Sequence, residues 1–575
     1  MNVCKFIQKF NKLKKSSSDS IDNILSFDDF RKYMHVIRAT EIDLKSILAA
    51  VNSSDKKTLV LLCGSAGDGK SHLLSYLKNS DSDHLLDGYK VFNDATESNA
   101  PNKTAVETLY KRLEDFNDDN ICNPGSNAII AINLGVLSNF IESEWASNFS
   151  HLKEYVKSSN IMTSEITNTI YVDNSNFQHI SFSDYHMFSM DKGEIIPEYI
   201  EALFEKIVSD NEKNEFYAAY VDDCSACPLN SQCPIRMNYE FLTDSKGRHY
   251  IALMLVKVIL KDKEILTTRE LLNYIYDIVV APDFDYATFY KSSTHPSLFL
   301  KEFLNYIMPS LLFDYVDISV IMNKTRKYDP LLNRNETEDD IAIEYYVSDD
   351  ITKTVKTIVN ESAYSSVLCD PSYANIINED KTVKSKLFNV LIRIRDLIND
   401  NGYEKMFLKY ISDLYNYNIG KTPKLAGLYS AIEDAVMCWC GNEVDDNICI
   451  DDSHKGFVIY EDIKFDPFLD NVPLPSSSEK IEKFLPYVVA EFKNGNDTPI
   501  HIDIDYSLYE LIEKLKAGYV QTAEDRNNHA DFISFISKIL KTGSSNESIT
   551  ILSETGRKAK LEKTKFGTYK FEVVK

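Results

Sequence analysis

No apolar run in these 575 residues approaches membrane-spanning length, and the N-terminal MNVCKFIQKFNKLKK lacks the continuous apolar core of a signal peptide. The expectation is cytoplasmic residence with no membrane partner. Glycine and proline are scarce, at 18 and 16 residues, which argues against a disordered or low-complexity chain when 44% of residues are hydrophobic. Ten cysteines are too few for a disulfide framework; Cys4, Cys63, Cys122 and Cys369 stand singly and are expected as buried thiols. Positive charge is also in deficit. Sixty-three Lys and Arg against 87 Asp and Glu leave a net charge of −24, which opposes generic wrapping of nucleic acid. The exception is Arg557 to Lys575, with seven Lys or Arg, read as solvent-facing lysines that protect terminal strand edges.

Against that background one stretch stands out, LVLLCGSAGDGKSHLLSYL from Leu59 to Leu77. Leu59 to Leu62 have no polar alternation, the pattern of a parallel strand buried on both faces. Gly64, Gly69, Lys70 and Ser71 then fit G-x-x-x-x-G-K-[ST], and the residues after His72 continue with helical spacing. In such a loop, here Gly64, Ser65, Ala66, Gly67, Asp68, Gly69, Lys70, Ser71 and His72, backbone N–H groups converge on phosphate at a helix N-terminus. Lys70 is the candidate to neutralise phosphate oxygens and Ser71 to ligate Mg²⁺, so ATP and Mg²⁺ are the expected cofactors.

Further α/β units follow. GYKVFNDATES offers a second strand, TAVETLYKRLEDF a helix with a Thr104–Glu107 capping box, NAIIAINLG a third strand and HISFSD a fourth, with a helix from near Pro197. The fold class expected is an α/β parallel sheet with a helical lid, a cysteine-rich insertion and a mixed α+β C-terminal region. Its expected divisions are an N-terminal helical segment (1–45), a core (46–250), a helical lid and connector (251–345) and an interaction region (346–575). In the lid, Thr267 and Glu270 form a capping box that starts a helix near Thr268 and places Arg269 in its first turn, either to reach a γ-phosphate or as a solvated arginine on the helix surface.

The insertion, 222–238, carries Cys224-x₂-Cys227-x₅-Cys233, which reads as a metal clip, most simply zinc. No fourth ligand is evident; His249, Cys122, His186 and Asp223 are candidates, and an iron–sulfur cluster or three plain thiols are alternatives. Cys438 and Cys440, in AVMCWC, read as core packing.

Several segments together resemble one family, the DNA phosphorothioation-dependent restriction protein DptF, also called DndF. They are FRKYMHVIRATEIDLKSIL, GSAGDGKSHLLSYL, NDATESNAPNKTAVETL, INLGVLSNF, FSDYHMF, CSACPLNSQCPIRMNYE and LTTRELLNYIYDIVV, spanning Phe30 to Val280. The resemblance implies a P-loop ATPase of the ASCE/AAA-like kind in an anti-phage restriction complex. It would act with partner subunits of G and H type and meet DNA through that complex. In ATPases of this kind the third strand usually ends in an acid; here it ends in Asn133, which can orient a water but cannot take its proton. Asp94 and Glu97 are therefore the candidate catalytic acids, with Asp184 a candidate γ-phosphate sensor. A non-hydrolysing nucleotide-binding scaffold is the alternative; a small-molecule kinase would leave the C-terminal region without a role.

Overall fold

The computed structural model describes the chain except for residues 1–3, 15–27, 66, 81, 94–103, 163–165, 167–170, 316, 333–335, 349–350, 361, 400–404, 442–446, 452–455, 462, 464, 494–497, 543–547, 565 and 575. Two compact units partition it. One comprises Met1–Ser189 with Ile196–Gly402, the other Met190–Ile195 with Tyr403–Lys575.

The first unit is built on a four-stranded parallel sheet, β1 (Leu59–Cys63), β2 (Lys90–Phe92), β3 (Ala128–Ile132) and β4 (Phe177–Ser181), in the order β2-β3-β1-β4. Every residue of β1 and β3 is buried, as their unalternating apolar sequences require. Leu59, Leu61 and Cys63 face one layer, containing α5 (Ala105–Leu113) and α6 (Leu134–Glu142). Val60 and Leu62 face the other, containing α3 (Ala39–Asn52) and α4 (Lys70–Asn79). The period of two along β1 thus feeds two cores at once. In register, Cys63 lies opposite both Ile132 and Ser181, so the chain leaves β1, β3 and β4 at one level, on the carboxyl edge of the sheet.

Ahead of this core, α1 (Lys5–Phe10) buries Phe6 and Phe10, and α2 (Asp29–Met34) precedes α3. Beyond it come α7 (Glu198–Val208), α8 (Glu215–Ala219), a π-helical turn (Tyr220–Cys224), α9 (Pro234–Phe241), α10 (Ser245–Lys261) and α11 (Thr268–Val279). Both predicted capping boxes are present, Thr104 with Glu107 and Thr267 with Glu270. The fourth strand differs from expectation: it stops at Ser181, and Phe182–Asp184 forms a 3₁₀ turn.

In the second unit, Asp466–Phe468, Val488–Lys493 and Ile500–Ile504 form a three-stranded antiparallel sheet packed with helices such as Tyr506–Lys516. The late strands Ser548–Ser553, Lys558–Lys563 and Tyr569–Val574 extend an antiparallel sheet with Phe457–Glu461 and Ile448–Asp451. Among the described residues, no helix is long and apolar enough to cross a membrane.

Candidate functional site

The glycine loop turns sharply out of β1. A Cβ on Gly64 would stand 2.9 Å from the Phe182 Cβ and 2.6 Å from an Asp68 carboxylate oxygen, so a side chain there has no room. Gly69 has φ +93°, a left-handed conformation, and it opens α4 without a side-chain cap. The first-turn N–H groups of α4, which begins at Lys70, are therefore directed into the loop's hollow. Inside it, the Lys70 ammonium donates to the Ser65 carbonyl and lies 3.9 Å from Asp68 Oδ2, while the Ser65 N–H donates to the same carboxylate. Burial pushes the Asp68 carboxyl above its ordinary range, against the opposing pull of Lys70, the Ser65 N–H and Arg38. Asp68 thus engages the donors that an incoming anion would need.

The loop opens into a cavity of about 480 Å³, a size suited to a small ligand. Gly64, Gly67, Asp68, Gly69, Lys70, Ser71 and His72 line it together with Asn133 from the end of β3 and Arg269 from the first turn of α11. A Cβ on Gly67 would meet the Thr267 side chain at 3.2 Å, so the capping box of α11 packs directly on the loop and carries Arg269 in. Asn133 is the N-cap of α6; its Oδ1 accepts the Gly135 N–H at 2.8 Å, which leaves its amide NH₂ as the group able to donate into the cavity. Asp184 is placed differently. It ends the 3₁₀ turn after β4, acts electrostatically on Cys63, and is not among the residues lining the cavity. Ala66, Asp94 and Glu97 lie outside the described residues.

Sequence reasoning missed the other walls. Arg38 sits with its guanidinium 4.7 Å over the Tyr199 ring and donates to the Asp68 carbonyl at 3.3 Å; Tyr199 OH is 3.0 Å from Thr268 Oγ1. Asn93, the residue after β2, also lines the cavity, with a buried Oδ1 that has no partner among the described residues. Beneath the loop, His35 Nδ1 is 3.1 Å from His72 Nε2, His35 Nε2 is 2.8 Å from Glu41 Oε2, and the His35 ring stacks on Tyr76 at 3.6 Å. Burial, with the neighbouring charge of His35, pushes the His72 pKa down to about 4, so this imidazole is neutral at pH 7. Apart from His72, no local pattern marks these residues, because separate segments of the chain supply them.

The cysteines partly depart from expectation. Cys224 and Cys233 are buried and Cys227 is half-buried. Among the described residues, no three His, Cys, Asp or Glu side chains are converged as a metal-holding group. His249 is paired with Glu201 at 2.6 Å, and Cys122 is exposed beyond α5, so neither presents itself as the missing ligand. Of the single cysteines only Cys63 is fully buried, and Cys438, expected in the core, is exposed near the C-terminal end of its helix, Ala426–Trp439.

Compared with protein-family models, with curated proteins and with solved structures, the chain matches none.

Proposed function

We propose that this chain is a P-loop nucleotide-binding subunit that binds ATP with Mg²⁺ and hydrolyses it slowly, in concert with partner subunits. The observation that carries the reading is the glycine loop at the carboxyl edge of a parallel sheet, with Lys70 and Ser71 opening a helix and Asn133 and Arg269 lining the same cavity. Lys70 and Arg269 would balance phosphate charge, Ser71 would ligate Mg²⁺, and the Asn133 amide would donate to a phosphate oxygen or the attacking water. Since Asn133 cannot accept a proton, the base must come from elsewhere. Asp94 and Glu97, which follow β2 in the sequence, are the candidates for that base. The segments that resemble the DptF family support placing this ATPase in a phosphorothioation-dependent restriction complex, with G- and H-type subunits supplying the main grip on DNA.

A non-hydrolysing switch is the second reading. It is favoured by the use of the Asn133 Oδ1 as a helix cap and by the Asp68 carboxylate already bound in the loop. The experiment is ATP turnover by the purified chain with and without DNA and the co-expressed subunits. Turnover that appears in the complex and is abolished by Lys70→Ala fits the first reading; nucleotide binding without turnover in every combination fits the second.

A further inference from the structure

The Cys224-x₂-Cys227-x₅-Cys233 segment has a knuckle-like turn but three sulfurs, and the sequence around it offers no fourth. The fold brings a fourth sulfur near from the start of the chain. Cys4, immediately before α1, is separated from this segment by more than 200 residues of sequence, yet α1 packs against α8 and the π-helical turn that ends at Cys224. Three contacts fix that placement. The Phe6 ring lies 5.3 Å from Tyr239 of α9, the Phe10 ring lies 5.2 Å from Phe216 of α8, and Lys5 Nζ pairs with Asp223 Oδ1 at 3.5 Å. The last lies next to the cysteines, because Lys5 and Asp223 are the immediate chain neighbours of Cys4 and Cys224.

Around this point the chain is folded as a ligand turn. The Cys227 N–H donates to the Cys224 carbonyl at 3.2 Å, the Asn230 N–H to the Cys227 carbonyl at 3.0 Å, and Cys233 N-caps α9 ahead of Pro234. Cys227 Sγ is 3.4 Å from Tyr286 OH, which closes one side. The four thiols lie within electrostatic reach of one another: Cys4 of Cys224, Cys227 and Cys233, and Cys224 of Cys227 and Cys233. They have not converged on a single point.

We propose that Cys4, Cys224, Cys227 and Cys233 form a tetrahedral four-thiolate zinc site, with Cys4 as the fourth ligand, fastening the N-terminal helix to the cysteine-rich turn. Four thiolates are a standard structural zinc set. A site of this kind contributes folding energy by closing segments that are distant in sequence. Asp223, paired with Lys5, stands beside the ligands rather than among them.

The test uses the full chain. Elemental analysis of protein purified without added metal should give about one zinc per chain and no iron. Cys4→Ser should lower the retained zinc and raise its rate of loss to a chelator, while Cys122→Ser should keep the parent content. If Cys4→Ser does not fold, X-ray absorption of the parent protein decides, with a first shell of four sulfurs expected. A shell of three sulfurs and one nitrogen or oxygen, full zinc retention in Cys4→Ser, iron in place of zinc, or protein that neither carries zinc nor binds it on addition each overturns the proposal.

Discussion

At Asp68 the loop already satisfies itself: the carboxylate holds the Ser65 N–H and sits beside Lys70, both of which a phosphate would claim. A desolvated internal anion competes with an external one for the same donors. Asp68→Ala is therefore expected to tighten ATP binding several-fold, read by calorimetric titration; weaker binding would show that Asp68 orders the loop instead of plugging it. The acids belong to the same scale. Asp94→Asn and Glu97→Gln should each lower turnover by about 10² or more, the usual contribution of a positioned proton acceptor, while nucleotide binding persists. If both hydrolyse ATP at the parent rate, the base lies elsewhere.

Helix α4 couples the loop to the layer beneath it through His72, and this element carries a pH dependence. The unfolded chain protonates a histidine near its ordinary pKa of about 6.5, whereas burial holds the folded-state value near 4. Between those values the unfolded state binds a proton that the folded state does not, so stability falls as pH drops through this window, by up to about 3 kcal/mol from this group. Urea unfolding of His72→Gln should show a shallower loss from pH 7 to pH 4 than the parent; identical slopes would contradict the assignment. At the start of α11, Thr267→Ala should cost about 1 kcal/mol by removing the capping-box acceptor. That helix was legible in the sequence, as were β1, β3 and the Thr104 box, because each is specified by neighbouring residues. Arg38, Tyr199 and Asn93 were not legible as site residues, and Cys4 read as an isolated thiol, because their placement depends on packing between distant segments. The same limit explains Cys438: its apolar neighbours are buried on one face of their helix, but it lies off that face and stays exposed.

Over the whole molecule, the net charge of −24 sets the balance between protein and nucleic-acid contacts. Phosphate contacts need clustered cations that release counterions, and the lysine-bearing strands at the end of the second unit are interleaved with acids, Lys560 pairing with Glu562 and Lys570 with Glu572. The chain alone should therefore fail to shift duplex DNA at about 0.15 M salt, an ionic strength that screens weak surface attraction, and should associate with DNA through partner subunits; a salt-resistant complex with the isolated chain would contradict this. Whether the cavity at the glycine loop is a nucleotide site is decided by calorimetric titration of Mg²⁺-ATP into the full chain and into Lys70→Ala. Saturable binding of about one ATP per parent chain is expected, lost or weakened at least tenfold in a variant that unfolds at the parent temperature; equal affinity in both proteins would rule the site out.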